Sequence, residues 1–253
     1  MKERILTFEV GDRPDVEVRI ASGHIHVEEG SAGTVHVSIS ASNPDKLLVE
    51  QFRDHIQIGE EGRLRGSYRI RLEVPAGTDL TTAVASGNVD VRGPVGDCAA
   101  RSASGDVAVE NASGRLEIKV ASGDVTIKQA GGDTRVVSAS GDVKIVAADG
   151  DCSVSCASGD ADLGTVTGGL NVKTASGGVL VKRFEGDTLI AKSVSGRLDL
   201  RVASGRRVDL DLRTLSGKVD LPSPSDSPAP PDGPEVQLRA KSVSGNIIIR
   251  RAD

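Results

Sequence analysis

The chain of 253 residues has no tryptophan, one tyrosine (Tyr68), three phenylalanines (Phe8, Phe52 and Phe184) and one methionine. A core must therefore come from Val, Ile, Leu, Ala and Thr, which suits thin layered β-structure better than a thick helical or α/β core. No stretch approaches the roughly 18 apolar residues of a membrane-spanning helix. The first ten residues, MKERILTFEV, are charged and lack the apolar run of a secretory signal. These absences predict a soluble cytoplasmic protein. No basic cluster is present and the net charge is -5, which argues against a nucleic-acid partner. The three cysteines, Cys98, Cys152 and Cys156, are odd in number and read as free thiols of a reducing compartment.

What is abundant is glycine. It falls at 87, 96, 105, 114, 123, 132, 141, 150, 159, 168, 177 and 186, twelve times in succession at a spacing of nine. Alternate units carry the stronger signature: Ser86, Ser104, Ser122, Ser140, Ser158 and Ser176 stand 18 apart. Internal periodicity of this kind marks a solenoid. Two and four residues after each glycine the side chain is apolar or small, as in Val107 and Val109 or Val125 and Ile127, with polar residues between. That alternation is a strand with one inward face. Ser-Gly supplies the corner, glycine by adopting positive φ and serine by bonding local backbone. The alanine two residues before most glycines fits a tight inward corner. The expectation is an all-β, parallel β-solenoid (β-helix) of about 18 residues per coil, each coil two nine-residue strand-turn units, with successive coils about 4.8 Å apart. The interior of such a flattened prism is too narrow for aromatics. A three-sided coil is the alternative geometry.

Residues 1–80 are less regular and are expected to start and cap the solenoid, bringing the larger side chains Phe8, Phe52 and Tyr68. The stretch at 55–80 reads as hairpin-like strands, and 42–55 as a longer connection with a helical turn. Residues 81–253 form the solenoid repeats, interrupted by PSPSDSPAPPDGP (222–234), whose composition predicts a flexible insertion. The last apolar run, Ile247–Ile249, is expected to leave a bare edge at the end of the stack.

The units Ala-Ser-Gly-(Asn/Asp)-Val at 85–89, 103–107, 121–125 and 139–143, VSGRLDL at 194–200, and the lead-in RIRLEVPAGTDLTTAVASGNVDV at 69–91 resemble a bacterial putative-adhesin family with β-strand repeats. The resemblance covers most of the chain. It implies the repeat fold and very little about activity, since the function of that family is unknown; surface exposure is the alternative location that the family name suggests.

Two sets of residues are candidate sites. Asp106, Asp124, Asp142 and Asp160 would stack along one edge of an 18-residue coil. Unit charges so spaced repel by about 0.9 kcal/mol in water and about 3.5 kcal/mol at an effective dielectric near 20. A row of Ca²⁺ ions could relieve this, as in a calcium-binding β-roll. That motif, however, needs Gly-Gly-x-Gly-x-Asp, and here one glycine directly precedes each aspartate. The reading favoured is aspartate accepting turn N–H bonds, with Lys119, Lys128 and Lys144 compensating. His24, His26 and His36 could suit Zn²⁺ but are read as solvent-facing strand residues. Cys98 and Cys152 take inward positions three coils apart, about 14 Å along the axis and beyond disulfide reach. No cofactor is expected. The sequence thus predicts a non-enzymatic structural or interaction protein presenting a polar face to a protein or cell-envelope partner. The alternative is a self-assembling scaffold joined end to end.

Overall fold

A computed structural model of the chain describes residues 2–60, 66–222 and 233–252. Apart from a 3-10 turn at Pro44–Lys46, every regular element described is a β-strand. The chain divides into two compact units, Met1–Gly131 and Gly132–Asp253.

Unit 1 holds β1 (Lys2–Glu9), β2 (Asp15–Glu29), β3 (Thr34–Ala41), β4 (Leu47–Phe52), β5 (His55–Glu60) and β6 (Ser67–Val74). It continues with β7 (Thr78–Ser86), β8 (Val89–Ser104), β9 (Val107–Ala112), β10 (Leu116–Ser122) and β11 (Val125–Ala130). The regular part stacks in parallel at a register of 18: Leu116 lies beside Cys98, Ile118 beside Ala100, and Val125 beside Val107. Leu116, Ile118, Val125 and Ile127 are completely buried. Each contributes about 1.5–3 kcal/mol by leaving water.

Unit 2 holds β12 (Thr134–Ser140), β13 (Val143–Ala148), β14 (Cys152–Ser158), β15 (Ala161–Val166), β16 (Leu170–Ser176) and β17 (Val179–Phe184). Then follow β18 (Thr188–Ser195), β19 (Leu198–Ala203), β20 (Arg207–Ser216), β21 (Val219–Asp220), β22 (Glu235–Ser244) and β23 (Ile247–Ala252). Here too the ladders are parallel. Thr134, Cys152 and Leu170 share one row, and Val143, Ala161 and Val179 another. Two strands complete each coil, so the coil is two-sided. The register lengthens to 19 at β18 and β19, where Leu170 meets Leu189 and Val179 meets Leu198.

The two corners of a coil differ, which the nine-residue spacing conceals. At Ala-Ser-Gly the glycine has positive φ, for example Gly105 at 132° and Gly159 at 117°. Both residues before it are exposed, and the buried residue is the one at Ser102, Val120 or Cys156. The expected inward alanine is therefore outward here. At the other corner the residue two before glycine does point in: Ala112, Ala130, Ala148, Val166 and Phe184 are fully buried. Glycine there has ordinary φ and is needed for space, since a Cβ on Gly114 would fall 2.1 Å from Asp97 Oδ1. Buried Phe184 also corrects the expectation that the interior excludes aromatics; a corner has room where the sheet-to-sheet gap does not.

The ends depart from chain order. In unit 1, β5 and β6 do not pair with each other as a hairpin. β5 lies against the first half of β2 (Val16 beside Ile56) and β6 against the second (Ile25 beside Ile70). The opposite edges of β2 pair with β7 and β8, so the later coil β5–β6 is stacked outside the earlier one. Antiparallel pairings β1–β3, β3–β6 and β4–β5 extend these sheets. Unit 2 uses the same device. β22 lies between β18 and β20, and β23 between β19 and β21. The last coil in sequence is thus interior, and Ile247, Ile248 and Ile249 are buried, not a bare edge. The terminal coil is β20–β21. The proline- and serine-rich insertion lies largely outside the described residues, which omit 223–232.

Candidate functional site

The turn aspartates are engaged by backbone. In unit 1, Asn88 Oδ1 accepts from the Asp106 N–H at 3.0 Å, and Asp106 Oδ1 accepts from the Asp124 N–H at 2.9 Å. In unit 2, Asp142 accepts from Asp160 at 2.8 Å, and Asp160 from Gly178 at 2.7 Å. The other corner carries a parallel ladder. Asp97 accepts from the Arg115 N–H at 2.8 Å, and Asp151 from that of Gly169 at 2.9 Å. Each donor lies 18 residues beyond its acceptor. An N–H dipole pointed at each carboxylate offsets the repulsion along the row. Lysine compensation works differently from expectation: Lys119 pairs with Glu117 and Lys128 with Glu110, on the sheet faces instead of the turn row.

The histidines do not converge. His24 is exposed, and His36 Nδ1 lies 2.9 Å from Thr7 Oγ1. His26 stands between two carboxylates, with Nε2 2.7 Å from Glu28 Oε1 and Nδ1 3.2 Å from Asp90 Oδ2. Arg71 donates to Glu28 at 2.7 Å, and Arg92 lies 2.9 Å from Asp90. The Glu28 carboxyl is held below the usual range, first by its hydrogen bond to His26 and then by Arg71. The result is a charged strip across the outward face of β6, β2 and β8, with neighbours in register: His26 lies beside both Arg71 and Asp90. Glu28 is two residues from His26 in the chain, whereas Asp90 reaches His26 only through coil stacking. Among the described residues no group of three His, Cys, Asp or Glu is arranged to hold a metal ion.

Unit 2 has a shallow groove of about 430 Å³ bordered by Asp160, Gly178, Leu180, Arg197, Asp199 and Arg201. Asp199 faces outward yet is almost fully covered, with Arg197 at 3.2 Å and Arg201 at 3.6 Å. Lys182 reaches Asp162 at 2.9 Å beside it. The missing side chain of Gly178 opens this groove. Opposite charges therefore alternate on the sheet face of each unit.

The thiols are core residues. Burial pushes Cys98 and Cys152 up to about 12, and burial together with the Asp142 charge pushes Cys156 to about 11. They are unionised at neutral pH and poor nucleophiles. Among the described residues no helix is long and apolar enough to cross a membrane.

The solved structures that match the chain are distant in sequence. A putative adhesin from Bacteroides fragilis NCTC 9343 is 11% identical over 99% of this chain and 97% of its own, with a TM-score of 0.37. A putative cell adhesion protein from Clostridium sporogenes ATCC 15579 is also 11% identical, over 99% of both chains, with a TM-score of 0.25. A putative lipid binding protein from Parabacteroides distasonis ATCC 8503 is 11% identical over 99% and 97%, with a TM-score of 0.30. No curated protein matches the chain. The family model described as Toastrack DUF4097 matches residues 15–250, all but the last three residues of the repeat and most of the irregular N-terminal segment. On the strength of that match, the chain belongs to the Toastrack DUF4097 family.

Proposed function

We propose that the protein is a non-enzymatic interaction scaffold whose rigid sheet faces present fixed rows of charge to a protein or cell-envelope partner. The observation that carries this reading is the division of labour among its acids. Turn aspartates accept backbone N–H groups of the next coil, whereas face acids such as Glu28, Asp90 and Asp162 stand on strands beside arginine or lysine. Parallel ladders fix those face groups at one spacing, so a partner with complementary charge meets them without ordering cost. Residues 1–80 serve in this reading as the start and cap of the solenoid, their antiparallel strands β1, β3 and β4 flanking the first coils.

The test is a native pull-down with mass spectrometry on separated cytoplasmic and envelope fractions, which also checks the cytoplasmic location expected from the sequence. Bait carrying Arg71→Glu and Arg92→Glu is compared with wild type. Loss of specific prey with the charge-reversed face supports the reading. An unchanged prey list with both baits would sink it.

A further inference from the structure

The end of unit 2 is unusual for a folded stack. Among the described residues, β20 has one ladder partner, β22, and β21 has one, β23. Among the described residues no further strand meets their remaining N–H and C=O groups, which form an open edge. The core-facing positions are equally uncovered. Leu210 continues the row of buried Leu238, yet Leu210 is 37% exposed; Val219 continues the row of buried Ile247 and is 43% exposed. Leu215 and Leu221 are exposed beside them. Among the described residues, six of the ten exposed large hydrophobics belong to the last coils of this unit: Val194, Leu210, Leu215, Val219, Leu221 and Val243. A patch of that kind with an open edge marks an interface.

We propose that this end is a two-fold interface between two copies of the chain, with β20 pairing antiparallel to β20 of the second copy and the two β21 strands facing each other. The charge pattern of β20 selects this occupant. Charged residues on an edge ordinarily keep it from pairing. Here Asp209, Asp211 and Arg213 carry both signs. Core-facing residues must oppose core-facing residues, because a one-residue slip turns a strand over. Centring the pair on Leu210 sets Asp209 against Asp211 and Arg207 against Arg213; centring it on Asp211 sets that carboxylate against itself. Centring it on Leu212 sets Asp211 against Arg213 of the second copy, twice by symmetry, with no like charges opposed. Asp211 already lies 2.9 Å from Arg213 within one strand, so the two copies close a ring of four alternating charges. The apolar ends then cover each other. Because such an isologous contact uses the same patch on both copies, it stops at two and does not propagate into a filament.

Sedimentation velocity on the full chain tests this. Wild type is expected to dimerise with rising concentration. R213D and D211R, each of which opposes like charges across the axis, are expected to dimerise at least about tenfold more weakly. An equimolar mixture of the two variants restores both ion pairs and is expected to form the mixed dimer. Recovery in the mixture cannot come from misfolded chains. The proposal is overturned by a wild-type protein that stays monomeric at about 100 μM, by a mixture no more dimeric than its components, or by a ladder of species larger than two.

Discussion

The backbone N–H of Asp124 donates to Oδ1 of Asp106 at 2.9 Å, exactly one 18-residue coil away in the chain. Asn88 plays the same acceptor role toward Asp106, which shows that the turn needs the oxygen more than the charge. Asp106→Asn should therefore change stability little, and Asp106→Ala should cost about 0.5–1.5 kcal/mol by leaving the Asp124 N–H to water. Urea unfolding midpoints at constant slope check this. Equal losses from both substitutions would mean that the carboxylate charge itself matters.

Deleting residues 142–159 joins Gly141 to Asp160 and removes one coil from unit 2 with both corner types intact. The shortened chain should fold and unfold cooperatively. Deleting only 142–150 puts two strands of the same side in succession and removes the corner that buries Ala148. This shorter deletion should be the more damaging, by far-UV circular dichroism and proteolysis. Equal tolerance would mean that the two corners are interchangeable despite Gly141 and Gly159 having positive φ and Gly150 not.

Tyr68 is the chain's one tyrosine and there is no tryptophan, so tyrosinate absorbance near 295 nm reports on a single group. Burial, then the hydrogen bond to Glu60 at 2.6 Å, raises its pKa to about 12. The native titration midpoint should lie there, with the unfolded chain at the ordinary 10. Between these values the unfolded state has released a proton that the native state keeps. The stabilisation is complete below pH 10 and is lost as pH rises toward 12. Glu60→Gln should lower the midpoint without returning it to 10, because burial is the first cause. A native midpoint at 10 refutes the buried placement.

All three cysteines are free and buried. An aromatic disulfide reagent at about pH 8 should leave them unmodified in the native protein and label all three after unfolding in guanidinium. Rapid labelling of one native equivalent would identify an accessible thiol and contradict the core positions of Cys98 and Cys152.

The coil was legible because its causes are local. Val107 and Val109 face in and Asp106 and Ala108 face out by strand alternation alone, and the spacing of Ser104 and Ser122 carries the 18-residue register. The difference between corners was not legible. Ala103 and Ala112 occupy the same position relative to glycine, yet one is exposed and the other buried. The distinction resides in the backbone, where Gly105 adopts positive φ and Gly114 does not. The charged strip was half visible: Glu28 is near His26 in sequence, but Asp90 comes to it only across the coil stack.

The sequence by itself determined the period, the inward and outward faces and the aliphatic core, since turn chemistry and alternation act within nine residues. Only the tertiary structure decided which coil stands at each end. A repeat makes neighbouring coils nearly equivalent partners, because every coil offers the same backbone ladder and a similar row of Val, Ile and Leu. Pattern alone therefore cannot choose between β20 and β22 as the strand beside β18. The three residues between β19 and β20 carry the chain past one coil position, and the long connection from Asp220 to Glu235 lets it return and insert β22 and β23 inside β20 and β21. That insertion buries Ile247–Ile249 and leaves Leu210 and Val219 at the open end.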